Sequence, residues 1–283
     1  MSRLAAIFAR ARAEKRAALV IYLTAHDPDG ETSQRLMLAA AEAGADIIEV
    51  GVPWSDPSAD GKVIQAAVHR ALAKGGGLGR SLEICRALRA ANPNVGLVLF
   101  GYANPIVVMG QERFAARAKE AGADGVLCVD YPPGEDGELT GALGRQGLDY
   151  VPLLAPTSTP GRIDNALAVA RGFVYYVSLT GITGTALADL DEPRRQVAAI
   201  KARAPGGAVP VAVGFGIRTP GAARAVATFA DGVVVGSAAV EVVQQAVAAG
   251  RDPVPELGAF VRSRRAALGP AGARSRGSPW SRR

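Results

Sequence analysis

Eight short apolar runs, several of them rich in β-branched residues, recur along the chain, and amphipathic segments rich in Ala, Leu, Arg and Glu lie between them. The apolar runs predict strands at residues 19–23, 47–50, 96–100, 125–129, 150–154, 173–177, 209–213 and 232–235. The amphipathic segments predict helices at residues 32–42, 63–74, 81–90, 111–121, 160–170, 193–204 and 222–230. This alternation is typical of a parallel sheet covered by helices.

Roughly eight strand–helix units favour a single α/β domain, a closed (β/α)8 or TIM barrel, for which about 250 residues are usual. A doubly wound open sheet is the alternative, but no G-x-G-x-x-G motif follows the first strand. Residues 2–16 form an amphipathic pattern, which predicts a helix covering the barrel floor. We expect the barrel to span residues 1–268 and residues 269–283 to form a basic, disordered tail.

Composition narrows the class of protein. The net charge of +6 includes four arginines of the tail, so we expect no nucleic-acid partner. No apolar run approaches the roughly 18 residues of a membrane span, which predicts a soluble protein. Cys85 and Cys128 have no metal-ligand spacing, and neither His26 nor His69 has a ligand neighbour, so we expect no metal and a reducing cytoplasm.

An acidic pair marks the candidate chemistry. Glu49 lies inside the apolar run of the second predicted strand, where a carboxyl group is costly to bury without a partner or a task. Asp60 follows on a loop of Gly, Pro, Ser and Asp. Two carboxyl groups in different environments can hold different pKa values, which suits acid–base catalysis. The structural alternative is a satisfied core glutamate followed by a loop aspartate.

Three glycine-bearing loops follow the last three predicted strands, at residues 180–185, 214–217 and 236–238. Glycine lets backbone N–H groups approach a ligand, and a helix predicted to begin at Ser237 points its N-terminal donors towards the same place. TIM barrels often bind phosphate at the loops after strands 7 and 8. The loops therefore predict a phosphate site, although the same glycines would also suit tight turns.

At this point the residues resemble a known family, the tryptophan synthase α chains, over about residues 1–268. The most specific likeness is the run from Glu49-Val50-Gly51 to Ser55-Asp56-Pro57-Ser58-Ala59-Asp60-Gly61. Further matching motifs are Gly101-Tyr102-Ala103-Asn104-Pro105, Gly181-Ile182-Thr183-Gly184-Thr185, Gly214-Phe215-Gly216-Ile217 and Val235-Gly236-Ser237-Ala238.

The resemblance implies a lyase that cleaves indole-3-glycerol phosphate to indole and glyceraldehyde 3-phosphate, without a cofactor of its own. It also implies a pyridoxal-phosphate β chain as partner, in an α2β2 complex. By the same resemblance, Glu49 donates and accepts the proton, and Asp60 faces the indole N–H. The other implied site residues are Tyr22, Phe100, Leu127, Tyr175 and Thr183 around the indole, and Gly184, Gly216, Gly236 and Ser237 at the phosphate.

Three positions depart from the family pattern. His26 stands where glycine is usual, Trp54 replaces Phe or Tyr, and Lys62 replaces a proline after Gly61. Lys62 either points to solvent or pairs with Asp60 or Asp56. His26 either hydrogen-bonds Asp27 or Asp56 or is structural.

These departures leave three alternatives to the α chain of a two-component enzyme. The first is a stand-alone lyase that releases free indole. The second is a weakly catalytic regulatory partner of a β chain, in which Lys62 disables Asp60. The third is another phosphate-binding barrel, against which the Glu49–Asp60 pair argues.

Overall fold

The structure is a computed structural model that describes residues 1–132, 137–177, 190–204, 209–214 and 216–269. Its strands are β1 (Ala18–Thr24), β2 (Ile47–Gly51), β3 (Gly96–Gly101), β4 (Gly125–Cys128), β5 (Asp149–Tyr150), β6 (Leu153–Leu154), β7 (Val174–Val177), β8 (Val211–Gly214) and β9 (Gly232–Val235). All of the strand pairings are parallel.

The helices cover the outside of the sheet. They are α1 (Arg3–Ala13), α2 (Gly30–Glu42), α3 (Lys62–Ala73), α4 (Leu78–Ala91), α5 (Ala103–Met109), α6 (Gln111–Glu120), α7 (Glu138–Arg145), α8 (Pro160–Val169), α9 (Asp191–Arg203), α10 (Pro220–Val226), α11 (Ser237–Ala248) and α12 (Pro253–Ala267). Among these, α5, α7 and α12 were not among the helices predicted from the sequence pattern. Of the predicted tail, only Gly269 lies among the described residues.

The sheet closes through its fifth barrel strand, which Pro152 divides into β5 and β6. The strand order runs from β5 through β4, β3, β2, β1, β9, β8 and β7 to β6. Across the break, Val151 N–H donates to the Val126 carbonyl at 2.9 Å, and the Pro152 carbonyl accepts from Tyr175 N–H at 3.0 Å. The two ends of the sheet are therefore parts of one strand, and the predicted (β/α)8 barrel is confirmed.

Alternate residues of each strand face the barrel interior and the helices. In β2, Ile47 packs in the interior cluster, whereas Ile48 and Val50 pack in the outer cluster beneath the helices. Glu49 shares the inward face with Ile47, so the strand places a carboxyl group inside the barrel. This register explains why a strand that is buried at every residue can carry an acid.

Helix α1 covers the floor, where the strands begin. Its apolar side is buried, and a Cβ added to Gly96 at the start of β3 would lie 2.9 Å from side-chain atoms of both Leu4 and Ile7. The same addition at Gly232, at the start of β9, would come within 3.1 Å of Phe8. Glycine at these strand starts gives the helix room to pack against the barrel.

Aspartates at the strand starts attach α1 to the floor. Asp46, Asp124 and Asp231 each accept a 2.9 Å hydrogen bond from a backbone N–H of another strand or strand start. The same carboxylates pair with arginines of α1: Asp46 with Arg10 at 3.5 Å, Asp231 with Arg12 at 3.8 Å, and Asp124 with Arg3. The three aspartates therefore join neighbouring strands by hydrogen bonds and hold α1 on the floor by ion pairs.

Candidate active site

A cavity of about 520 Å³ opens among the loops that follow the strand C-termini. Its described walls include Glu49, Asp60, aromatic side chains and the first residues of α11. The largest cavity with converging polar groups is the default candidate for an active site. The end of the barrel on which it lies is also where TIM barrels hold their active sites.

Glu49 lies at the base of this cavity with none of its surface exposed to solvent. Neither carboxyl oxygen has a hydrogen-bond partner among the described residues. Burial disfavours the charged form and raises the pKa of Glu49 to about 8. The group therefore carries a proton at neutral pH and can act first as an acid.

Asp60 reaches the same cavity from the loop between β2 and α3. Its Oδ2 accepts a 2.9 Å hydrogen bond from the hydroxyl of Tyr102, which itself accepts from Ala59 N–H at 3.1 Å. Burial raises the pKa of Asp60, and the Tyr102 hydrogen bond opposes that shift by favouring the charged form. The two acids therefore differ in environment: Glu49 has no hydrogen-bond partner among the described residues, whereas Asp60 accepts a hydrogen bond from Tyr102.

Three aromatic rings form an apolar wall above Glu49. The Tyr22 and Phe100 rings lie 5.2 Å apart at 75°, and the Phe100 and Tyr175 rings lie 6.4 Å apart at 62°. Each tyrosine hydroxyl lies against a glycine of a neighbouring strand. A Cβ at Gly51 would meet the Tyr22 hydroxyl oxygen at 2.3 Å, and a Cβ at Gly214 would meet that of Tyr175 at 2.3 Å. This wall suits a flat aromatic ligand.

Across the cavity, Gly216, Gly236 and Ser237 converge from the ends of β8 and β9. Ser237 is the first residue of α11, and Gly236 before it contributes no side-chain cap. Gly216 has φ +56°, a left-handed conformation that favours glycine. Helix N-termini bind anions through free N–H groups and the helix dipole.

The structure does not bring every predicted residue to the cavity. Leu127 packs in the interior cluster below, and Val129, two residues later on the same strand face, lines the wall instead. Thr183 and Gly184 lie outside the described residues. Sequence reasoning missed the hydrogen bond from Tyr102, although this residue belongs to a motif that matches the family. It also missed Arg218, which lines the cavity two residues after Gly216.

The atypical residues His26 and Lys62 stay outside the cavity wall. Lys62 is exposed at the start of α3 and forms no ion pair with Asp60 or Asp56 among the described residues. His26 has φ +68°, a left-handed conformation that favours glycine, the residue that the family resemblance led us to expect there. It does not hydrogen-bond Asp27, whose carboxylate accepts instead from Arg70 at 2.8 and 2.9 Å.

Comparison with known proteins decides the family. The family model described as tryptophan synthase alpha chain matches residues 8–268. The chain belongs to the tryptophan synthase α chain family. It is therefore a lyase that cleaves indole-3-glycerol phosphate to indole and glyceraldehyde 3-phosphate in tryptophan biosynthesis.

Individual members of the tryptophan synthase α chain family resemble the protein over nearly its whole length. The chain is 49% identical to the tryptophan synthase alpha chain of Burkholderia thailandensis, across 95% of this chain and 97% of the relative. A crystal structure of tryptophan synthase subunit alpha from Legionella pneumophila has a TM-score of 0.88 at 38% identity, covering 95% and 98% of the two chains. A Mycobacterium tuberculosis tryptophan synthase chain has a TM-score of 0.86 at 36% identity, covering 95% and 98%.

Proposed function

We propose that Glu49 is the proton donor and acceptor of the retro-aldol cleavage and that Asp60 stabilises the positive charge of the intermediate. The observation that carries this proposal is a fully buried carboxyl group, without a hydrogen-bond partner among the described residues, in the same cavity as a hydrogen-bonded one. The proposed lyase domain spans residues 1–268.

The first step moves a proton from the Glu49 carboxyl group to C3 of the indole ring. Protonation places positive charge on the ring nitrogen, whose N–H then donates to the Asp60 carboxylate. A fixed carboxylate in a partly dry site stabilises charge that develops during the reaction. The hydrogen bond from Tyr102 favours the charged form of Asp60 against the effect of burial and orients its carboxylate.

In the second step the Glu49 carboxylate removes the proton from the side-chain hydroxyl next to C3. The carbon–carbon bond breaks, its electrons return to the ring, and the hydroxyl carbon becomes the aldehyde of glyceraldehyde 3-phosphate. Glu49 ends protonated, as it began. One group near neutral pKa serves both steps because it can give and take a proton at similar cost.

The remaining walls of the cavity would orient the substrate. Tyr22, Phe100 and Tyr175 would hold the indole, and Gly216, Gly236 and Ser237 would hold the phosphate. The predicted contributions of Thr183 and Gly184 belong to the same proposal. We place the reaction in the cytoplasm, as suits a biosynthetic enzyme. None of the described helices is long and apolar enough to cross a membrane.

The chain pairs with a tryptophan synthase β chain in an α2β2 complex. Helix α5 follows β3 on the cavity side and carries Val107 and Val108, whose surfaces are 59% and 81% exposed. Large exposed apolar side chains side by side mark an interaction surface. Their place beside the cavity mouth suits a partner that receives indole.

Indole release from indole-3-glycerol phosphate, measured with and without a β chain, tests the function. Cleavage by the wild type that the β chain stimulates strongly supports a two-component enzyme. Full activity without a β chain would support the stand-alone lyase. Binding of a β chain without cleavage would support a regulatory role. Near-normal turnover of Glu49→Gln would contradict the proposed acid–base role.

A further inference from the structure

The described wall of the cavity has more acidic side chains than basic ones, although a phosphorylated substrate brings negative charge of its own. Glu49 and Asp60 are its acidic groups, and Arg218 is the one cation among the described residues that line it. A phosphate monoester brings about −1.5 to −2 charge at neutral pH. Neutral N–H groups and a helix dipole can bind it, but a cation at the same wall also offsets the charge of the Asp60 carboxylate.

The backbone around Arg218 has a defined conformation and contacts two helices. Gly216 precedes it with φ +56°, and Thr219 follows as the N-cap of α10, with Oγ1 accepting from Ala222 N–H at 3.1 Å. The carbonyl oxygen of Arg218 accepts a hydrogen bond from Arg264 of α12, whose guanidinium lies 3.5 Å from the centre of the Phe260 ring. These contacts tie the Arg218 backbone to the start of α10 and to α12.

Glu241 ties the guanidinium of Arg218 to α11, the helix that begins at the proposed phosphate site. The two side chains form an ion pair, and Glu241 lies on α11, four residues after Ser237. Their side chains are 48% and 31% exposed. Exposed ion pairs contribute little to stability, so a phosphate group can share or replace this contact.

We propose that Arg218 binds the phosphate of the substrate and that Glu241 is a positioning residue that directs the Arg218 guanidinium towards the start of α11. This inference rests on the proposed function, because that function places a phosphate at Gly236 and Ser237. Arginine suits the task because its planar fork of donors can bind two phosphate oxygens at once. Glu49, buried in the same cavity with no hydrogen-bond partner in the described part of the chain, independently indicates that a polar ligand enters there.

The test compares wild type with Arg218→Ala, Arg218→Lys, Glu241→Gln and Glu241→Asp. Steady-state cleavage gives kcat and KM for indole-3-glycerol phosphate, and titrations give the affinities of inorganic phosphate and of indole alone. Arg203→Ala is the matched control, because it removes a similarly exposed arginine–carboxylate pair, Arg203–Asp164, outside the cavity wall.

Arg218→Ala should raise KM and the dissociation constant of phosphate by about 10- to 100-fold, the usual range for a lost charge-assisted hydrogen bond. Its kcat should stay within about threefold and its indole affinity should not change. Arg218→Lys should show only part of the loss seen in Arg218→Ala. Glu241→Gln should raise KM by a few-fold at constant kcat, and Glu241→Asp, which keeps the carboxylate, should show little of that increase.

Unchanged KM and phosphate affinity in Arg218→Ala would overturn the inference. Equal losses of phosphate and indole binding would overturn it too, because they would indicate a damaged cavity. A wild type that binds phosphate without cleaving the substrate would contradict the proposed function, and the phosphate titrations would still decide the role of Arg218.

Discussion

The hydroxyl of Tyr102 donates a 2.9 Å hydrogen bond to Oδ2 of Asp60 and thereby joins the loop after β2 to the end of β3. The bond opposes the rise in the pKa of Asp60 that burial causes. It ties the proposed charge-stabilising carboxylate to the rigid barrel. Loop and strand end therefore act as one unit at the cavity mouth.

Removing this hydrogen bond should shift the acidic limb of the pH profile. In Tyr102→Phe the pKa of Asp60 should rise further, so cleavage should begin to fall at a higher pH as the solution is acidified. We expect kcat to fall by about tenfold, the equivalent of one hydrogen bond to a charged group. Tyr150→Phe, which removes a 2.9 Å bond from a hydroxyl to the Tyr131 carbonyl, is the control. Identical pH profiles for Tyr102→Phe and wild type would argue against the contact.

The activity of the wild type should fall as pH rises through about 8, because Glu49 then loses the proton that it donates. Glu49→Gln should keep the fold and the affinity for inorganic phosphate but lose cleavage by about three orders of magnitude or more, since general acid–base catalysis contributes about 10²–10⁴-fold at each step. The pH dependence of kcat/KM and a phosphate titration check both statements.

Glu49 should also make stability depend on pH. Its pKa is about 8 in the folded protein, against an ordinary value of 4.5, so the folded state holds more protons between these values. Stability from this group is present below pH 4.5 and is lost as pH rises towards 8, by up to about 4–5 kcal/mol. The difference in unfolding free energy between Glu49→Gln and wild type should therefore grow in favour of the variant from pH 5 to 8. A constant difference would show that Glu49 does not titrate in this range.

A negative charge at the start of α11 should weaken substrate binding. Ser237→Asp should raise KM strongly, because the new carboxylate would repel the phosphate. Thr140→Asp is the control, since it adds the same charge to the first turn of α7, outside the cavity wall. Equal KM values for Ser237→Asp and Thr140→Asp would argue against a phosphate site at α11.

The exposed valines of α5 should serve the partner rather than the chemistry. Val108→Asp should leave cleavage by the isolated chain unchanged and reduce its activation by the β chain, because burying a carboxylate in an apolar interface is unfavourable. Activity measured across a titration with β chain gives both quantities. Val247→Asp, at a side chain 40% exposed on α11, tests whether any exposed apolar position has this effect.

Much of the fold could be predicted from the sequence because its signals are local. Apolar runs located the strands, helical periodicity located most of the helices, and a polar residue within an apolar run located Glu49. The bond between Tyr102 and Asp60 was not predictable in this way, because its partners are 42 residues apart and meet only in the closed barrel. Arg218 was not predicted because the signal for a phosphate site at this loop comes from its glycines, and one arginine two residues later has no distinguishing pattern of its own.

Leu127 shows that the sequence pattern predicts which side of the sheet a residue faces but not how deep in the barrel it lies. Alternation along a strand places Leu127 and Val129 on the same inward face. The strand advances by about 7 Å between them, enough to separate the closed interior from the cavity wall. Periodicity therefore gives the face of a residue but not the level at which the interior packing ends.

The floor contacts of α1 have a consequence for the order of events during synthesis. This helix precedes every strand of the barrel, yet Phe8 packs against Gly232 and Arg12 pairs with Asp231, which the ribosome adds more than 200 residues later. At usual translation rates the apolar side of α1 waits for roughly ten seconds or more. The contacts of α1 with β1, β3, Asp46 and Asp124 can form earlier, but its docking is complete only when β9 is in place. A chain truncated before β9 therefore leaves Phe8 partly uncovered.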